Sequence, residues 1–249
     1  LVDAKRGHTA QEVVDAVARL KRRGMTVGVQ LLPGLKGETW ETILETAISV
    51  VKLEPDFVRI YPVLVIENTE LADQYRSGEY EPLSTEQAIK YCAFLKEWFE
   101  QDNIEVIRTG LQSTDELDSG NSLVAGPYEP AMGELVVNEQ YKQRIERCID
   151  DHLSSENLLG KQNDYNFSHF DCYHTHKVGC RFYSDSGDIL MKHRIVISYP
   201  RSSTSKVRGL KNCNILYFQE TYPQFSIDWC EDNTRNTVRC CIDGLQYVL

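Results

Sequence analysis

No stretch of the chain approaches the roughly 18 consecutive apolar residues that a membrane-spanning helix needs. The N-terminus also lacks the basic-then-apolar profile of a secretory signal, so a soluble protein of the cytoplasm is expected. Positive charge is short as well. The 27 Lys and Arg face 37 Asp and Glu, and a formal charge of -10 argues against a protein that coats nucleic acid through bulk electrostatics. The eight cysteines (positions 92, 148, 172, 180, 213, 230, 240 and 241) are scattered through a long chain without a secretion signal, which favours reduced thiols over a disulfide framework. The first residues, Leu1-Val2-Asp3-Ala4-Lys5, include no initiating Met and lead directly into a capped helix, so an upstream part is expected. No internal repeat or low-complexity run occurs.

What is present suffices for a sizeable core, because 249 residues with 41% hydrophobic content suit one large domain or two modest ones. Thr9-Ala10-Gln11-Glu12 reads as a capping box that opens a helix running to Gly24, with Val13, Ala16, Val17 and Leu20 as its apolar stripe. Met25 to Leu32 alternates as a strand, with Val27, Val29 and Leu31 on one face and Thr26, Gly28 and Gln30 on the other. A second helix spans Thr39 to about Leu53, ended by Pro55. Phe57 to Ile66 reads as the next strand, Val58 and Ile60 facing one way and Arg59 and Tyr61 the other. Ser84-Thr85-Glu86-Gln87 is a second capping box, and its helix carries Ala88, Tyr91, Leu95, Trp98 and Phe99 at helical spacing. Ile104 to Arg108 is a short third strand. Strand and helix alternate at crossover length, which indicates parallel βαβ units.

After Gly126-Pro127, a linking helix is expected from Glu134 to about Leu153, and the polar stretch from Ser154 to Phe167 reads as a boundary. Beyond it, Ile195-Val196-Ile197, a helical stretch from about Thr204 to Tyr222, and strands at Phe225 to Trp229 and Thr237 to Ile242 outline a small α+β domain. The expected organisation is therefore residues 1–125, a linker over 126–153, and a domain over 154–249.

Leu31-Leu32-Pro33-Gly34-Leu35-Lys36-Gly37-Glu38-Thr39 lies where a strand ends and its helix begins, the edge at which β/α barrels build active sites. Five blocks in order, Lys5-Arg6-Gly7-His8-Thr9, Gln30 to Leu35 at this turn, Val58 to Ile66, Val106 to Gln112 and Ala125 to Ala131, resemble the radical S-adenosylmethionine (SAM) superfamily. Within it, the chain is similar to the group of the elongator catalytic subunit and its smaller bacterial relatives. The resemblance covers roughly residues 1–150, and more loosely Ile195 to Asn214. It implies an α/β fold, the C-terminal half of a partial TIM-type β/α barrel followed by the small α+β domain. It also implies three cysteines in the pattern CxxxCxxC on a 4Fe-4S cluster that chelates S-adenosylmethionine and cleaves it reductively, an electron donor such as flavodoxin or ferredoxin, and RNA, tRNA in particular, as substrate.

No CxxxCxxC occurs in this chain, so no cluster ligand can be assigned within it. By the resemblance, Leu32, Pro33, Gly34 and Leu35 lie against the adenine. Arg59 and Tyr61 are expected to face the lumen and hold a cofactor carboxylate or substrate, against the alternative that Arg59 pairs with a lumen carboxylate. Arg108 and Gln112 are lumen or rim candidates. The group commonly has Pro where Lys36 stands and His where Glu129 stands.

The tail carries two further candidates. No acidic residue falls between Asp188 and Glu220, and within that window Ser205 to Ile215 resembles the GxxG turn of KH domains, which clamps a nucleic-acid backbone between two helices. Lys206, Arg208, Gly209 and Lys211 are the expected phosphate-facing residues, and Asn212 stands where the second Gly would be, a residue that tolerates left-handed geometry. His169, Cys172, His174, His176 and Cys180 form the densest set of metal-ligand types, although their spacing matches no common zinc finger.

Overall fold

A computed structural model of the chain describes residues 7–112, 114–118, 120, 122–160 and 193–249. The chain divides into two compact units, one formed up to Tyr141 together with Arg208–Lys211, the other by Lys142–Val207 and Asn212–Leu249.

In the first unit the helices begin where local chemistry says they must. Helix α1 (Ala10–Lys21) is opened by the Thr9 box, in which Glu12 N donates to Thr9 Oγ1 at 3.2 Å and Thr9 N donates to the Glu12 carboxylate at 2.7 Å. Helix α2 (Trp40–Lys52) starts from a Thr39–Thr42 box, and α4 (Thr85–Gln101) from Ser84–Gln87. Strands β1 (Gly28–Leu31), β2 (Phe57–Ile60) and β4 (Glu105–Thr109) form a parallel sheet in the order β1-β2-β4, as crossovers through α2 and α4 require.

One face of that sheet is closed. Leu31, Val58 and Ile60 pack with Ile43, Ala47 and Val50 of α2 and with Ala88, Cys92, Leu95 and Phe99 of α4. Each large side chain so buried contributes about 1.5–3 kcal/mol. Burial pushes the Cys92 thiol well up, so this cysteine is an inert core residue.

Three expectations need correction here. The stripe of α1 is buried only at Val17, with Leu20 exposed, because too few apolar residues of α1 reach the core. The run Phe57 to Ile66 is not one strand. Pro62 has no amide hydrogen to extend the ladder, and beyond it β3 (Val65–Ile66) pairs antiparallel with β5 (Leu123–Ala125) in a separate two-stranded sheet. Helix α3 (Glu70–Ser77), capped by Thr69 and ended by Gly78, fills a stretch to which the sequence assigns no element. The short α5 (Asp115–Asp118) precedes β5, and the linking helix α6 (Met132–Gly160) starts earlier and runs further than expected, through residues read as polar boundary.

In the second unit, β6 (Arg194–Tyr199) is central. It lies parallel to β7 (Ser226–Glu231) and antiparallel to β8 (Arg239–Ile242), which turns into β9 (Leu245–Val248). Ile195, Ile197, Phe218, Cys240 and Ile242 are fully buried. The helical stretch expected from about Thr204 to Tyr222 comprises α7 (Thr204–Arg208) and α8 (Cys213–Thr221), with Gly209, Lys211 and Asn212 at positive φ between them. The sequence set from His169 to Cys180 lies outside the described residues.

Candidate functional site

The alternation that buries Val58 and Ile60 turns Arg59 to the opposite face of the sheet. Gln30, Arg59 and Arg108 stand in one register row across β1, β2 and β4, and all three are exposed. A bulge in the β2–β4 ladder between Val58 and Arg59 brings Arg108 into that row in place of Ile107. Arg108 donates to Gln112 Oε1 at 2.8 Å. Beside the row, Gly28 leaves room for the Phe57 ring, which would lie 2.1 Å from a Cβ at that position, and the Arg59 guanidinium sits 5.7 Å from the centre of the same ring. Among the described residues neither Arg59 nor Arg108 forms an ion pair, so the expected alternative of a lumen carboxylate for Arg59 finds no partner there.

At the C-terminal end of β1 the chain turns through Leu32–Leu35. This turn continues to hydrogen-bond the segment after β2, since Tyr61 N donates to Leu31 O and Val63 N to Pro33 O, both at 2.9 Å. Pro33 and Gly34 are buried, while Leu32 and Leu35 are half-buried and Tyr61 flanks them. The main-chain polar groups of Gly34 are both answered from within the protein. Its N–H donates to the Glu38 carboxylate at 2.5 Å, and its carbonyl accepts from the Tyr80 hydroxyl at 2.6 Å. A cavity of about 220 Å³ adjoins the turn, lined by Lys36, Glu38, Glu79 and Tyr80 among others, and Lys36 reaches Glu79 at 3.8 Å.

Burial raises the Glu38 carboxyl above its usual value, against the opposing pull of the Gly34 N–H. Burial, then the Glu38 charge, push the Tyr80 hydroxyl up to about 12, so it remains a donor to Gly34 at any physiological pH. Sequence reasoning missed both residues. Glu38 carried a faint signal, four positions after a buried Gly; Tyr80 carried none, being 46 residues away.

The fit of the implied cofactors differs. A 4Fe-4S cluster needs thiolates held together, and no CxxxCxxC is present to supply them, so the residues of this chain do not fit the cluster. For S-adenosylmethionine they fit in part. The occupied Gly34 groups leave the turn an apolar ledge at Leu32 and Leu35, whereas the Arg59–Arg108 row offers cations without a described carboxylate.

The blocks after β2, β4 and β5 also meet at one cleft, whereas Lys5 and Arg6 of the first block lie outside the described residues. Pro62, Leu64, Gly110, Pro127 and Met132 line one small cleft, with Glu129 at its edge, where its carboxylate accepts from Ala131 N at 3.3 Å. Around the turn between α7 and α8, Lys206 and Lys211 are exposed, Arg208 is half-buried and Gly209 buried. Asn212 adopts the left-handed conformation expected of it, at φ 61°.

Residues 55–143 match the Radical_SAM C-terminal domain family. The chain is 33% identical over 153 residues to a tRNA uridine(34) acetyltransferase of Methanocaldococcus jannaschii, covering 58% of this chain and 26% of that protein. It is 30% identical over 94 residues to Elongator complex protein 3 of Bos taurus, covering 36% and 17%. A solved structure of the archaeal Methanocaldococcus infernus Elp3, with residues 1–46 deleted, aligns at 29% identity and a TM-score of 0.48 over 56% of this chain and 32% of that one. The chain spans about a quarter of the length of the archaeal relatives it matches. Among the described residues no helix is long and apolar enough to cross a membrane. The matched domain and the sequence relatives make the chain similar to the elongator-like branch of the radical SAM superfamily, to whose C-terminal domain residues 55–143 correspond.

Proposed function

We propose that this chain forms part of a radical SAM enzyme that modifies tRNA, in which the open face of the β1-β2-β4 sheet is the lumen wall of a half-barrel and receives S-adenosylmethionine. The observation that carries the proposal is the Arg59–Arg108 pair. Like charges directly opposite on neighbouring strands destabilise a sheet, and among the described residues no carboxylate relieves this pair. An anion bound between them would. The carboxylate of S-adenosylmethionine suits a guanidinium fork, Tyr61 adds a hydroxyl from the residue just after β2, and Leu32 and Leu35 offer apolar surface to an adenine. When bound, that cofactor supplies hydrogen-abstracting chemistry through reductive cleavage at a 4Fe-4S cluster, whose thiolates another part of the protein provides. The tRNA role rests on the relatives named tRNA uridine(34) acetyltransferase.

The test is equilibrium binding to the full-length protein carrying Arg59→Gln. Loss of a charge-assisted contact should weaken S-adenosylmethionine about 10- to 100-fold and leave tRNA binding in place. Weakening of tRNA alone would reassign the row to phosphate; no change in either would refute it.

A second reading, a noncatalytic RNA-binding role, is favoured by the turn between α7 and α8. Gly209, Lys211 and Asn212 have φ of 77°, 53° and 61°, and the βααβ order encloses them between the parallel strands β6 and β7. That is the backbone a phosphate clamp requires, with Lys206, Arg208 and Lys211 beside it. Charge reversal at these three should abolish salt-sensitive RNA retention, since each lost phosphate contact removes about one unit of salt slope. Unchanged retention would remove the clamp.

A further inference from the structure

We infer that His152, His193 and Asp243 form a binding site for one divalent first-row cation of the zinc type, in the second unit and independent of the cofactor site proposed above. The three come from distant parts of the chain. His152 lies on α6, His193 immediately precedes β6, and Asp243 sits in the two-residue turn joining β8 to β9. One ligand atom from each falls within 4.8 Å of the others.

The details suit ligation. His152 Nε2 is 3.5 Å from Asp243 Oδ2, and His193 Nδ1 is 2.5 Å from the same oxygen. In a tetrahedral zinc site with bonds of about 2.0–2.1 Å, ligand atoms stand about 3.3 Å apart. The first pair already has that separation. The second needs to open by less than about 1 Å, which a small swing of the half-exposed His193 ring provides.

Supporting contacts aim the groups. Asp243 Oδ1 accepts from Arg194 N at 2.9 Å, leaving Oδ2 to point at the imidazoles. The positive φ of Asp243 and Gly244, 47° and 93°, is the two-residue hairpin geometry that holds that carboxylate at the strand end. His193 packs 5.5 Å from the Phe225 ring and 5.9 Å from His152, which is almost wholly buried. Two imidazoles and one carboxylate are a donor set for zinc with a fourth position open to water. The charges agree too, since a dication meets one carboxylate flanked by two imidazoles.

The competing occupant is a proton shared between His193 and Asp243, and a metal titration of the full chain separates the two. Cobalt(II) added to metal-free protein should bind one equivalent with visible d–d absorption and no thiolate charge-transfer band, and zinc should displace it. The missing thiolate band distinguishes this site from ligation by Cys172 or Cys180. Asp243→Asn, which keeps an acceptor for Arg194 N–H, and His193→Gln should each weaken zinc on the order of 100-fold, at the upper end of what even outer-shell losses cost. Their far-ultraviolet circular dichroism should match the parent's. Absence of stoichiometric binding, a thiolate band, or affinities unchanged in both variants would overturn the inference.

Discussion

Gly110→Val should destabilise the first unit by about 3 kcal/mol, a fall of about 10 °C in melting temperature for a unit of this size, combining left-handed strain with overpacking. Gly110 follows β4 and holds φ at 82°, which a β-branched residue tolerates poorly. Its N–H also donates to Ile60 O at 2.9 Å, so the backbone cannot relax without breaking the end of the β2–β4 ladder. A Cβ would stand 2.5 Å from Met132 Cβ, and Met132 is almost fully buried at the start of α6. Two independent penalties therefore coincide, and a double-mutant cycle can separate them. Met132→Gly in a Gly110→Ala background removes the opposing Cβ and should relieve the clash but not the strain, giving a favourable coupling. Additive losses measured by thermal melting would show that φ alone makes Gly110 necessary.

Gly110 also shows which parts of this protein are legible in its sequence. The capping boxes at Thr9 and Ser84 and the alternation of Val58–Ile60 against Arg59–Tyr61 were readable because their physics is local. A side-chain oxygen reaches an amide three residues away, and period two fixes a face. The register of Gln30, Arg59 and Arg108 across three strands is not local. Strand faces put Gln30 and Arg59 on polar sides, but the bulge that puts Arg108 rather than Ile107 beside Arg59 appears only when the ladder forms. The antiparallel pairing of Val65–Ile66 with Leu123–Ala125 was hidden for the same reason, and Pro62 was the one local hint that the long strand would break. Helix α3 was missed because its eight residues bury only Ala72, leaving Thr69 and Gly78 as the signals. At the candidate sites, attention to dense ligand-type clusters favoured His169 to Cys180, whereas the triad of His152, His193 and Asp243 has no sequence spacing to betray it.

Removing both side chains that hold Gly34, as Glu38→Ala with Tyr80→Phe, should cost about 3 kcal/mol, because each leaves a buried main-chain group without its partner at about 1–3 kcal/mol. Tyr80→Phe keeps the ring, so its share reports the orphaned carbonyl rather than lost packing. Glu38→Gln should behave differently, since a Gln oxygen still accepts from the Gly34 N–H while no charge is buried. The carboxyl of Glu38 is raised in the folded protein, so the folded state holds its proton more tightly than the unfolded chain. Its favourable contribution is present below the ordinary glutamate value of 4.5 and is lost as pH rises through the raised one. Melting temperatures of parent and Glu38→Gln should therefore diverge in the variant's favour on going from acid to neutral pH. Parallel pH profiles would mean that the Gly34 N–H fully compensates the buried charge.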